Sequence, residues 1–190
     1  MYRTLNICVA SEISLLVPDF RKQLLRSLEA AKKINLHIEV HTTVITPQEQ
    51  AALWKQGRTK TDAELKTLAL KNANAHYLAE CMRQAVPQET NRITNLLPGH
   101  SWSQWGEAAS MIWIDGSHKI NWTAKVVLGA NGYKKFADIL KEFFLHSGGE
   151  FEDTDDAWRY VQLRPERLPS DVFNLEYIDA EMKRRFGGRK

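Results

Sequence analysis

Cysteine is nearly absent. Cys8 and Cys81 are the only two in 190 residues, and they stand far apart at no metal-binding spacing. That excludes a cysteine-based metal site and gives no disulfide framework, so both thiols are expected to be buried and reduced. No run of about 18 apolar residues occurs, so no membrane-spanning helix and no membrane insertion are expected. The opening stretch MYRTLNICVASEISLLVPDF lacks the basic start, continuous apolar run and small-residue cleavage site of a secretory signal. The chain is read as cytoplasmic. Neither sign of charge dominates. Lys and Arg number 26 against 23 Asp and Glu, a net charge of +3 and a pI near 8.8. This surplus is too small to make nucleic acid an expected partner. Part of it lies in the tail from Lys183 to Lys190, which reads as a solvated, frayed end. Repeats and low-complexity stretches are also missing.

What is present is ordinary globular material, 43% hydrophobic and 26% charged, enough for a real core. Pro18 followed by DFRKQLLRSLEAAKKI reads as a helix, with Phe20, Leu24, Leu25 and Leu28 at helical spacing. Residues 36–45 alternate and are β-branched, a strand. Thr46 and Glu49 form a capping box around Pro47, and Gly57 ends that helix. A second box, Thr61 with Glu64, predicts one long helix to about Ala85, stopped before Pro87. Residues 87–106 read as loop. EAASMIWI reads as a strand, Asp115-Gly116 as a hairpin turn into KINW, and NGYKKFADILKEFF as an amphipathic helix. An acidic turn, a short strand WRYVQLRP and a helix over Pro169–Phe186 complete the chain. The predicted class is α+β, a small antiparallel sheet flanked by helices. The expected division is one domain over 1–168 and a C-terminal helical extension with its basic tail over 169–190.

Four segments carry a resemblance. TPQEQAALWKQGRT, PGHSWSQWGEAAS, NGYKKFADILKE and GGEF…YVQL occur in this order. Together they resemble the motifs of the zinc D-alanyl-D-alanine carboxypeptidases and L-alanyl-D-glutamate endopeptidases, phage endolysin peptidases among them. The similarity spans about residues 16 to 164 and implies the D-Ala-D-Ala carboxypeptidase-like (hedgehog/peptidase) fold. It also implies a chemistry in which two His and one Asp hold a zinc with an open position for water. The zinc acidifies that water, and a carboxylate takes its proton.

By the same resemblance the family's first His falls on Ser103, its Asp on Ser110 and its final His on Tyr160. The base carboxylate falls on Ala157, and the Arg ahead of the Glu-Gln step on Ile45. The frame is kept at Pro47, Gln50, Gly57, Ser101, Gly106, Ala108, Gly132, Tyr133, Gly148, Gly149, Gln162 and Leu163. Neutral hydroxyls are poor zinc ligands, so the chain is identified as a degenerate member with no catalytic residues, no metal and no cofactor. His100, Asp155 and Asp156 are the residues from which a displaced metal site could be built. The replacements suit a polar cavity. Ser101, Trp102, Ser103, Trp105, Ser110, Tyr160, Gln50, Arg58 and Arg159 are the expected ligand-binding residues. The Trp side chains would stack on a planar group and the Arg side chains supply charge; the plainer roles are core packing for Trp and helix capping for Arg58. Three readings follow. The first is a pseudo-enzyme, phage-derived by analogy, that binds a small molecule (a peptidoglycan fragment or a nucleotide-like signalling molecule). The second is an active cell-wall peptidase with displaced ligands. The third is a structural or interaction protein with a silent cleft.

Overall fold

The computed structural model describes residues 12–86, 91–127 and 129–188. Its elements in chain order are α1 (Pro18–Lys33), β1 (His37–Thr42), α2 (Pro47–Lys55), α3 (Lys60–Asn72), α4 (His76–Gln84), β2 (Ala108–Ile114), β3 (Ile120–Asn121), α5 (Gly132–Glu142), β4 (His146–Ser147), α6 (Asp155–Trp158), β5 (Tyr160–Gln162) and α7 (Leu175–Phe186). Short 3-10 turns lie at Ile13–Leu15, Trp102–Trp105, Gly148–Glu150 and Pro169–Asp171. The architecture is α+β, helices with one small antiparallel sheet. The chain forms two compact units. One holds the residues up to Val44 together with Gly106–Pro165; the other holds Ile45–Trp105 and the residues from Glu166 onward. The boundary expected at 168 falls inside the second unit.

The first unit contains the sheet, in the order β1-β2-β5-β4, with β3 beside β2. Every pairing is antiparallel. Alternation along β2 sends Ala109, Met111 and Trp113 into the core, where Phe20 and Leu24 of α1 and Tyr133, Phe136 and Leu140 of α5 join them. Each fully buried large side chain contributes about 1.5–3 kcal/mol. The β2–β3 hairpin differs from the two-residue turn that Asp115-Gly116 predicts. Ile114 pairs with Ile120, so five residues connect the strands. The Asp115 carboxylate accepts the amides of Ser117 at 2.8 Å and Lys119 at 3.2 Å, and this local side-chain turn supplants the tighter one.

The second unit is helical. The Thr46–Glu49 capping box forms as read. The next box is Thr59 with Asp62, not Thr61 with Glu64, so α3 starts at Lys60 directly after the Gly57 turn. The predicted single helix to Ala85 is also broken. Asn74 adopts φ +60°, the Asn74 amide bonds to Lys71 O and the Ala75 amide to Leu70 O. That is a Schellman motif with Asn in the glycine place. Ala75 cannot cap the helix that follows. The Asp179 carboxylate of α7 does so instead, accepting the Leu78 amide at 2.8 Å. Ile178, Met182 and Phe186 bury α7. The tail is therefore ordered through Phe186, with Arg184 and Arg185 both paired to Glu181. Residues 169–186 are a turn followed by a helix, because Asn174 caps α7 through the Tyr177 amide. Cys81 is buried, and burial pushes its thiol up to about 11; Cys8 lies outside the described residues.

Candidate functional site

In the first unit, strand register gathers the residues. Ser110 stands directly opposite Thr42 of β1 on one side and Tyr160 of β5 on the other. Directly opposed side chains share a sheet face. Since Ala109 and Met111 face the core, this rung of three hydroxyls lies on the opposite face, and all three residues are half-buried. A bulge between Val40 and Thr42 leaves His41 as the extra residue of β1. The backbone behind Tyr160 is fixed by close approach. A Cβ added at Gly148 would meet Ala157 O at 2.3 Å and Tyr160 Cβ at 3.1 Å, so only glycine fits there.

Arg159 adjoins the rung. Its carbonyl accepts the Met111 amide at 2.7 Å, which continues the β2–β5 ladder by one bond. The guanidinium lies 4.8 Å over the Trp122 ring, with Nη1 3.3 Å from Asp156. The side chain is only 16% exposed, and its Nε has no hydrogen-bond partner among the described residues. His41 meets the edge of Trp122 at a ring separation of 5.3 Å. Burial, and then the positive charge of Arg159, lowers the His41 pKa. Trp122 is 47% exposed and so keeps a ring surface open to solvent. Tyr133 closes the back of this group, accepting the Trp113 amide and donating to Asn121 O. His41, Thr42 and Trp122 were not among the sequence candidates. His37 and His41 both lie in β1; His37 pairs with Glu39, whereas His41 is set apart by the bulge.

The second unit holds the other candidates. Ser101, Trp102, Ser103 and Trp105 fall in or beside one 3-10 turn, all buried, with the Ser103 amide donated to Ser101 Oγ. Trp102 donates its indole N–H to Glu166 O and Trp105 to Gly99 O. The Trp105 ring stacks on Phe173 at 5.1 Å and meets Trp102 edge-on at 5.7 Å. Both rings are thus embedded in the interior of the unit. Gln50 is buried and donates to Leu96 O. Arg58 donates to Trp54 O at the end of α2, to Thr94 O and to Asn95 Oδ1, and its guanidinium covers the Trp54 ring at 4.0 Å.

Among the described residues, no three His, Cys, Asp or Glu side chains gather as a metal site. The displaced-ligand candidates have other roles. Asp155 accepts the Ala124 amide at 2.7 Å, and Asp156 pairs with Arg159. Thr154 caps the short α6 through the Ala157 amide, and Asp153 accepts the Trp158 indole N–H. The acidic turn is organised by its own hydrogen bonds. His100 lines a groove with no carboxylate or thiol in its walls. Ser110 and Tyr160 do not fit a zinc ion, since neutral hydroxyls leave its charge uncompensated.

No family model matches the chain, and no curated protein matches it. Among the solved structures similar in chain course are the following two. One is a mutant of the vancomycin resistance D,D-pentapeptidase VanY from the VanB-type resistance cassette, in complex with Zn(II). It is 16% identical over 77% of this chain and 71% of that one, with a TM-score of 0.43. The other is VanYB in complex with D-alanine-D-alanine, 15% identical over 92% of this chain and 84% of that one, with a TM-score of 0.42.

Proposed function

We propose that this chain is a non-catalytic binding protein on a peptidase-type scaffold, phage-derived by analogy, and that it holds a small anionic molecule at Ser110, Tyr160 and Arg159. The observation that carries this reading is the hydroxyl rung Thr42–Ser110–Tyr160 together with the residue before Tyr160, Arg159, whose largely buried guanidinium packs on Trp122 and whose Nε has no hydrogen-bond partner among the described residues. Hydroxyls replace the ligands that the motif resemblance calls for, and a charge-assisted bond from Arg159 supplies what an oxyanion needs. The exposed part of Trp122 offers an aromatic surface next to it. Carboxylates of a peptidoglycan peptide and phosphates of a nucleotide-like signalling molecule share this chemistry.

Native mass spectrometry of protein taken directly from the producing cells, followed by calorimetry with a muramyl peptide and with a cyclic dinucleotide, separates the two sources. One of the two is expected to bind. Tyr160→Ala and Arg159→Ala are each expected to weaken it roughly tenfold or more, in line with the loss of a hydrogen bond to a charged group, with circular dichroism unchanged. Unchanged affinity in both variants, or no binding of either ligand, would rule this position out.

A further inference from the structure

A separate groove lies wholly within the second unit. One lobe, about 320 Å³, is lined by Trp54, Arg58, Asp62, Leu65, Lys66, Ala69 and Arg92. The other, about 350 Å³, is lined by Lys66, Leu97, His100, Ser170, Phe173 and Ile178 among others. Lys66 and Ala69 line both, so the two lobes lie side by side along α3. Their chemistry differs. The first gathers three cations against one carboxylate, and that carboxylate, Asp62, is engaged by Thr59 at the start of α3. Arg58 and Arg92 are close enough that, after burial, Arg92 is what lowers the Arg58 pKa. Neither Arg92 nor Lys66 forms a salt bridge among the described residues. The second lobe is apolar and aromatic. It contains one buried polar atom without a hydrogen-bond partner among the described residues, Nε2 of His100. Burial and the nearby Lys66 lower the His100 pKa and favour the neutral ring.

A larger groove on the same unit, about 550 Å³, also has basic walls. Most of its cations are already engaged: Lys55 with Met82 O and Ala85 O, Arg83 with Glu80, Lys60 with Glu64, and Arg58, which lines both grooves, with Trp54 O, Thr94 O and Asn95 Oδ1; Lys71 is the exception. In the two-lobed groove Arg58 is held by these same bonds, while Lys66 and Arg92 form no salt bridge among the described residues and an apolar wall lies beside them. From this we infer that it binds a phosphomonoester carrying a flat, largely apolar group, the chemistry of a nucleoside monophosphate. The phosphate lies among Arg58, Lys66 and Arg92, and the flat group lies against Phe173 and His100. Like-charged guanidiniums are relieved by a dianion between them, and lobes of this size match ordinary small-molecule pockets.

The test uses the full chain and three probes in calorimetry: adenosine 5′-monophosphate, adenosine and inorganic phosphate. The monophosphate is expected to bind roughly tenfold or more tightly than either part alone, because both lobes are then engaged. Arg92→Glu is expected to abolish that advantage while leaving adenosine binding in place. Ser170→Trp, at an exposed wall position, is expected to block adenosine and monophosphate alike. Lys66→Glu provides a second charge reversal should Arg92→Glu fail to fold. Equal affinity for monophosphate and phosphate would mean a cationic patch only and overturn the proposal, as would no binding at all. Binding that survives Arg92→Glu and Ser170→Trp but is lost in Tyr160→Ala would also overturn it, while leaving the sheet-face reading intact. Binding lost in the groove variants and kept in Tyr160→Ala supports the groove whatever becomes of the sheet-face reading.

Discussion

Ser110 and Tyr160 show how strand pairing brings together residues that lie far apart in the chain. Both were legible in the sequence as candidates, through the motif resemblance. That they are direct cross-strand neighbours was not legible, since register depends on pairing between segments about 50 residues apart. Nor could spacing reveal that Thr42 extends the rung, because the bulge at His41 shifts β1 by one residue. Gly148 makes the framework side of this measurable. Gly148→Ala would press a methyl against Ala157 O. A loss of roughly 1–3 kcal/mol in urea denaturation is expected from such overpacking. Wild-type stability in that variant would show that the turn behind Tyr160 is freer than its geometry implies.

Among the elements, helices were easier to detect than to delimit. Of two overlapping candidates, Thr61–Glu64 has the Glu that the start pattern favours and Thr59–Asp62 the shorter Asp, so the pattern alone points to the box that does not form. The chosen box follows at once on Gly57, whose φ of +64° ends α2. The end of α3 was missed because no glycine marks it. Asn35, Asn74 and Phe144 take the left-handed residue at the ends of α1, α3 and α5, each followed by the 6→1 bond of a Schellman motif. Asn tolerates that conformation, whereas a bulky aromatic does not. Phe144 is 81% exposed, so its ring buries little in return. Phe144→Gly is therefore expected to raise the melting temperature by a few degrees, about 1 kcal/mol of relieved strain. A lower melting temperature would mean that the ring contributes contacts that its exposure does not reveal.

Across the molecule, the order of predicted helices and strands correctly indicated an α+β protein, and the composition a real core. The division of the chain was out of reach, because each compact unit is assembled from two separated stretches. The terminal helix looked like an appendage in sequence. In the structure its Asp179 caps α4, and Ile178 and Met182 lie against Gly99. Metal binding is likewise a property of the whole chain, since ligands can come from any segment. Among all described residues no trio of His, Cys, Asp or Glu side chains forms a metal site. The most direct measurement is zinc content and melting temperature after loading the purified chain with excess zinc and removing the unbound ion. A ligand at a hundred times its dissociation constant stabilises by about 2.7 kcal/mol. The expected result is substoichiometric zinc and an unshifted melting temperature. One zinc per chain with a raised melting temperature, both lost in His100→Ala, would contradict the reading of this protein as a binding protein without a metal.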